Sequence, residues 1–418
     1  MRLDDYIEGL EPDEAHRRRR LAEEKSYEIV DYLEDVEHRF KSAVSGTDLV
    51  GSTAPSIFVG RSNYPTVSTG ILSPIGAEAR APEFKTSGEW YARGLDIDNI
   101  LQYRTGLLNS NRSSNVDVRD VWDGFVGVQR EVAIADRPVG GEIGLADSLD
   151  LDLSLDDIRT PTGPRARATS ASLTENPHVP RPIKKTLEDD DWNADGAMPY
   201  LYRRGFDVYD INKILSAGAL GRGSRRRLVP TRWSITAVDD TVGRYLRGRI
   251  RNNPSVDSVT VWMNEYIGNR YWVILAPGTW EFELVEMKSP GSVWNPDQTG
   301  DTWMASAHEE YGGRSGYVDE TAGAYYASRL GVLEHLHEKS RQAKALVLRE
   351  VSDDYWAPVG VWQVRESVRN AFEGDYGETE SLHRAVRSIA ARLPVTYSDL
   401  RRKSHLVQGL QADLREFA

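Results

Sequence analysis

Residues 258–287, SVTVWMNEYIGNRYWVILAPGTWEFELVEM, decide the fold class. Two runs rich in β-branched and aromatic residues flank Gly268–Asn269, a hairpin turn signal. Working outward, residues 320–351, ETAGAYYASRLGVLEHLHEKSRQAKALVLREV, read as a helix of about six turns feeding a buried strand. Residues 200–221 read as helix, as do 361–372 and 381–393. Upstream, 51–76 reads as a strand and a structured loop that keeps Ile57, Val59 and Val67 to bury. Alternating patterns at 125–135 (FVGVQREVAIA) and 142–155 predict strands or a hairpin. The start, 12–44, reads as a long helix striped by Leu21, Ile29, Leu33 and Val36. Arg17–Arg20 sit there among Glu residues, the pattern of an exposed salt-bridged face. Helices and strands interleave without an internal repeat. The expectation is an α+β (mixed α/β) fold, mostly one body, with an N-terminal helix, a β-rich middle and a helical C-terminal part. Its parts are a helical segment at 1–50, an α+β part at 51–165, a Pro/Ser/Thr-rich loop or linker at 166–182, a second α+β part at 183–400 and a tail at 401–418.

Charge narrows the function classes. The 418 residues carry a formal charge of -12, and of 52 Lys+Arg only ten are Lys. Abundant acid, scarce Lys and a high Arg share fit a protein solvated in concentrated salt, where screening softens self-repulsion. The same screening weakens phosphate contacts, so nucleic-acid binding would rest on stacking and short hydrogen bonds. With no Cys, thiolate chemistry, disulfides and thiolate zinc sites are excluded. No signal peptide and no membrane span is read, so a cytoplasmic protein without a membrane partner is expected.

The densest polar stretch is 222–240. Arg222, Arg225, Arg226 and Arg227 surround two glycines, and Thr231, Arg232, Trp233, Ser234, Asp239 and Asp240 follow. Guanidinium forks match phosphate oxygens and Trp233 offers a face for a base, although an Arg-rich solvated loop has the same spacing. Arg61 with Asn63, and Arg104 with Arg112, are expected on loops facing a shared cleft, or in turns closed by Asn and Ser. Glu281 and Glu283 share one face of a strand whose other face carries Trp280 and Phe282. That pair could be an acid and base or hold a metal; the plainer account is the polar side of a half-buried strand. Glu286 breaks the alternation. No glycine pattern matches a P-loop or dinucleotide turn. His335 and His337 point to different sides of a helix and His308 has no second His at helical spacing, so no metal and no cofactor is expected.

The tail ends QADLREFA, 411–418. As a helix, Leu406, Leu410, Leu414 and Phe417 would form one stripe docked on the body. Gln411, Leu414 and Phe417, at i, i+3 and i+6, also line one side of a tight 3₁₀-like turn, which resembles the peptides that dock on the sliding clamp PCNA. Over most of its length the chain resembles the Nre family of archaeal DNA-repair proteins. The residues that carry the resemblance are PSIFVGRSNYP (55–65), ILSAGALG (214–221), RRLVPTRWSITAVDD (226–240), AGAYYASRLGVLEHL (322–336) and PVGVWQVRE (358–366).

The resemblance implies a role in repairing damaged DNA and binding to PCNA through the terminal peptide, here Gln411, Leu414, Phe417 and Ala418. Two departures matter. Many members begin with a four-Cys zinc element, which this chain lacks, so no zinc is expected. Clamp peptides commonly carry two adjacent aromatics, whereas Ala418 follows Phe417. That loss costs about 1–2 kcal/mol and implies a micromolar-range affinity, multiplied where three clamp subunits offer sites.

Two readings of the body follow. In one, a clamp-recruited repair factor binds DNA or another repair protein through Arg61, Arg104, Arg225, Arg226, Arg227, Arg232 and Trp233. In the other, an enzyme acts on DNA, a nucleotide or an ADP-ribose-like adduct. Its pocket would be formed where 225–240, 281–286 and 362–366 converge, with Arg232, Asp239, Glu281, Glu283, Arg365 and Glu366 as candidate catalytic groups. The sequence shows no nucleophile and no cofactor motif, and leaves open whether the body is an enzyme.

Overall fold

A computed structural model describes His38 and residues 48–410, except for 75, 120, 147–161, 190, 293 and 296–299. The long helix expected over 12–44 and the clamp-type peptide at 411–418 lie outside the described residues, as does most of 142–155.

The hairpin read at Gly268–Asn269 is present. Strand β7 (Val259–Tyr266) turns through Ile267 and Gly268, both at positive φ, into β8 (Asn269–Ala276). Gly268 is required twice over: its φ is 69°, and a Cβ there would stand 2.3 Å from the Tyr355 backbone nitrogen. Strands β9 (Glu281–Lys288), β10 (Trp303–Glu309), β11 (Lys344–Val351) and β12 (Tyr376–Thr379) complete a six-stranded sheet ordered β10-β9-β11-β8-β7-β12. Only β9–β11 pair in parallel, because β10 and a long helix intervene between them. That helix spans Ala322–Glu338, close to its expected length, and is apolar almost all round.

A second six-stranded sheet is built from the first part of the chain: β1 (Asp48–Ser52), β2 (Ile57–Val59), β3 (Thr66–Pro74), β4 (Leu107–Asn115), β5 (Gly140–Leu145) and β6 (Arg165–Leu173), ordered β1-β5-β6-β4-β3-β2. The described helices, in chain order, are α1 (Gly88–Ala92), α2 (Ile97–Thr105), α3 (Gly124–Ile134), α4 (Arg181–Glu188), α5 (Ala194–Arg203), α6 (Val208–Ser216), α7 (Thr231–Ile250), α8 (Ala322–Glu338), α9 (Trp362–Ala371), α10 (Leu382–Ala390), α11 (Tyr397–Lys403) and α12 (His405–Gln408). The α+β class expected from the sequence is what the structure shows.

Four apolar clusters hold the layers together. Phe125, Val132 and Ala133 of α3 pack on Val67, Ile71, Leu108 and Ile143 of the first sheet. One face of the second sheet, with Tyr271, Val273, Phe282 and Leu284, is covered by α5 to α9. Its other face, with Trp272, Val285, Met287 and Leu348, is covered by α10 to α12. Trp90, Leu101 and Tyr103 meet Val351, Tyr355 and Trp362 and so join the two parts of the chain. Among the described residues no helix is long and apolar enough to cross a membrane.

Two expectations are corrected. Residues 125–135, expected as strand, form α3: Phe125, Gln129, Val132 and Ala133 are buried at helical spacing, while the apparent alternation came from valines that also suit a helix face. The loop expected over 166–182 contains β6, which pairs with both β5 and β4 inside the first sheet. Its buried positions are only Ala166 and Ala168 and the rest is Arg, Ser and Thr, so hydrophobicity does not reveal it.

Candidate nucleic-acid interface

The 222–240 stretch is one structural unit with an exposed beginning and a buried end. Arg226 is buried and tied to the backbone, its Nε donating to Gly221 O at 3.0 Å and its Nη2 to Leu187 O at 2.7 Å. It is a structural arginine, which corrects its place among the phosphate-binding candidates. Its neighbours Arg225 and Arg227 face out. Arg227 and Leu228 run beside residues 116–119, with the Leu228 N–H donating to Val116 O at 2.8 Å. On the far side the Val116 N–H donates to Pro65 O at 2.9 Å, which brings in the loop after β2. The Val59 N–H donates to Thr231 Oγ1 at 2.9 Å and fixes β2 against the first residue of α7.

These contacts bring the segments of Arg61, Tyr64, Arg225, Arg227, Arg232 and Trp233 together, and all six residues are exposed. Tyr64 is 47% and Trp233 45% exposed, unusual for aromatics of their size, and their rings lie 5.4 Å apart at 52°. Arg61 and Arg232 are exposed near them in the sequence. Helix α7 is 20 residues long and starts after Pro230 with no side-chain cap. The positive dipole end of this helix therefore lies at the Arg232–Trp233 segment. In a chain of net charge -12 this is a local concentration of donors and π-faces suited to phosphate and base.

Arg104 does not join them. It lies at the C-terminal end of α2, with Nη2 donating to Val359 O at 3.0 Å and its guanidinium 5.4 Å from the Trp90 ring centroid. Burial pushes its pKa down to about 10. It is a packing residue, correcting the expectation of a cleft-facing loop. Arg112 is exposed, but on strand β4.

The candidate catalytic groups separate into three places. Arg232 is on the exposed surface. Asp239, eight residues further into chain order than Thr231, faces the interior, where Arg365 of α9 donates to its two carboxylate oxygens at 3.2 and 2.5 Å. Burial opposes the charge on Arg365, but the Asp239 carboxylate outweighs it and raises the guanidinium pKa. The same guanidinium lies 4.8 Å from the Tyr209 ring centroid. Tyr209 donates to Glu366 at 2.7 Å, Arg369 donates to Glu366 at 2.9 Å, and Arg369 also forks onto Glu334 at 2.7 and 2.8 Å. These charges are neutralised by one another, the arrangement of a buried ion network. Sequence reasoning singled out Asp239, Arg365 and Glu366 but missed Tyr209, Glu334 and Arg369, whose polar side chains lie on helices 35 to 160 residues apart in the chain.

Glu281 and Glu283 lie on the opposite face of the second sheet, under α10 to α12, so the sheet itself separates them from Asp239 and Arg365. The pocket expected from three converging segments does not form. Glu283 is fully buried, and the reason is specific: it accepts from Ser404 Oγ at 2.6 Å and from the His405 and Leu406 N–H groups at 2.8 Å each, capping α12. Glu286 is paired with Arg349 at 2.5 Å inside the same sheet. Tyr64 is the exposed aromatic beside Trp233 that sequence reasoning overlooked; an aromatic in a loop otherwise made of Arg, Ser, Asn and Pro was the available signal.

Family models described as archaeal Nre, N-terminal, and archaeal Nre, C-terminal, match residues 21–295 and 309–417. The chain belongs to the archaeal Nre family. It is 65% identical to the DNA repair protein NreA of Haloferax volcanii over the full length of both chains. An NreA of Archaeoglobus fulgidus is 37% identical over 82% of this chain and 85% of its own. The DNA repair protein NreB of the same organism is 34% identical over 88% and 92%. No solved structure matches the chain. The segments 55–65 and 226–240, on which the Nre resemblance rests in part, are the two that build the exposed surface.

Proposed function

We propose that this protein is a DNA-repair factor that docks nucleic acid on the surface of Arg61, Tyr64, Arg225, Arg227, Arg232 and Trp233. In this reading it is recruited to the sliding clamp PCNA through Gln411, Leu414, Phe417 and Ala418. It works in the cytoplasm of a cell with concentrated internal salt, where its Arg-for-Lys bias and acidic surface suit it. Nre relatives named as DNA repair proteins, one of them matching over its full length, support the repair role.

The observation that carries the nucleic-acid half is the exposed Tyr64–Trp233 pair beside the start of α7. Stacking survives salt that would screen phosphate contacts, and each stacked base contributes about 1–3 kcal/mol. The test is binding of fluorescent single-stranded and duplex oligonucleotides in molar salt. Trp233→Ala and Tyr64→Ala should each weaken binding while leaving the thermal transition in place; equal affinity in all three proteins refutes this interface. For the clamp, a pulldown with PCNA should lose its signal in the Leu414→Ala, Phe417→Ala double variant. Undiminished retention removes that half of the reading.

A further inference from the structure

A cluster on the α10–α12 side of the second sheet takes no part in the surface above. Glu281 on β9, His308 on β10 and His405 at the start of α12 bring one carboxylate and two imidazoles together. Their ligand-type atoms lie within 4.8 Å of one another. His308 Nε2 is 2.9 Å from Glu281 Oε1, and the rings of His308 and His405 stack at 4.0 Å and 26°. Lys344 holds the other carboxylate oxygen, Oε2, at 2.7 Å, which leaves Oε1 aimed at the imidazoles.

We propose that Glu281, His308 and His405 form a binding site for a zinc-class divalent cation, which fastens α12 to the β9–β10 edge of the second sheet. Two imidazoles and one carboxylate are a donor set that zinc takes with a fourth position left to water. At ligand distances of about 2.0–2.2 Å, neighbouring donors stand roughly 3.4 Å apart, close to the present Glu281–His308 separation. His405 is exposed at its side chain, and a rotation of that ring closes the wider part of the span. Its backbone is already fixed, because its N–H donates to Glu283. Lys344 and Glu283 thus act as outer partners, one orienting the carboxylate and the other the ligand-bearing backbone.

The position gives the site a use. Helix α12 ends at Gln408, two residues before the described chain stops at Leu410, and 411–418 follows. A cation here fixes the root from which the terminal peptide departs. That use rests on the proposed clamp recruitment; the site itself does not.

The full-length protein, stripped with a chelator and dialysed, is titrated with zinc chloride against a chromophoric zinc competitor, and its thermal transition is followed in parallel. One zinc per chain and a zinc-dependent rise in Tm are expected. His405→Ala, which removes an exposed ring stacked on His308, should weaken that binding more than about tenfold and abolish the rise, with Glu281→Gln behaving alike. No bound zinc in the unaltered protein, or equal binding in the protein and both variants, overturns the proposal. Loss of PCNA retention with zinc binding intact would instead count against the clamp reading alone.

Discussion

Two arginines, Arg232 and Arg365, show how differently the same side chain is used in this molecule. Arg365 is 2% exposed and bound at both ends of its fork to Asp239. Arg329 and Arg349 are likewise buried, on Glu309 and Asp240 and on Glu286. Arg232, Arg61, Arg225 and Arg227 are exposed. A guanidinium can enter the interior only with a carboxylate to meet it, because an unpaired buried charge costs several kcal/mol. The arginines left outside are therefore the ones available to a ligand.

The sharpest way to break this contrast is to remove one member of the interior pair. Asp239→Ala should destabilise the fold by about 3–5 kcal/mol, read from urea denaturation, because it strands the Arg365 charge. The double replacement Asp239→Leu, Arg365→Met should cost less than Asp239→Ala alone. If the single variant loses under 1 kcal/mol, roughly the value of a surface pair, the Asp239–Arg365 pair does not behave as a buried one.

Next in size is the exterior counterpart. Trp233→Ala should lower oligonucleotide affinity by about 1–3 kcal/mol with little change in unfolding free energy, the reverse of the Asp239 result. A variant that unfolds instead would place Trp233 with the core.

The same inside–outside rule applies to imidazole. His335 of α8 lies against Phe372 at 3.9 Å, and burial pushes its pKa down from 6.5 to about 4. Between those values the unfolded chain binds a proton that the folded chain refuses, so stability falls as pH drops from 6.5 toward 4 and levels off below. Allowing for the ring's partial exposure, the loss is roughly 1–2 kcal/mol, and His335→Phe should flatten that limb of the pH–stability curve. An unchanged slope would mean that other groups carry it.

The smallest expected effect on the fold is that of Arg232→Ala, within about 0.5 kcal/mol of unaltered stability. Its mark should appear elsewhere, as a fall of about one in the slope of log affinity for DNA against log salt. A slope identical to that of the unaltered protein would take Arg232 out of the interface.

Much of the architecture was legible. The β7–β8 hairpin announced itself through Gly268–Asn269, and the α8–β11 unit through a helical apolar run followed by Ala345 to Leu348. Strand β6 was not legible, because its core contribution is two alanines and its pairing partners come from 109–111 and 141–145. The site was half legible. Arg61, Arg225, Arg227, Arg232 and Trp233 could be picked out as residue types suited to DNA, but Arg226, between two of them, turns inward. No local pattern separates it from its neighbours; the nearby Leu187 and Gly221 carbonyls do. His308 looked isolated because its companion, His405, is almost a hundred residues away in the chain.

By itself the chain's sequence determined its α+β class, its lack of thiolate chemistry, its acidic and Arg-biased solvation and its membership of the Nre lineage, since composition, periodicity and long motifs are local properties. Tertiary structure alone decided which arginines are held by acids, that Glu283 caps α12 and that Tyr64 meets Trp233. Those pairings span 126, 121 and well over a hundred residues, and only the packing of sheets and helices brings such distant groups within bonding reach.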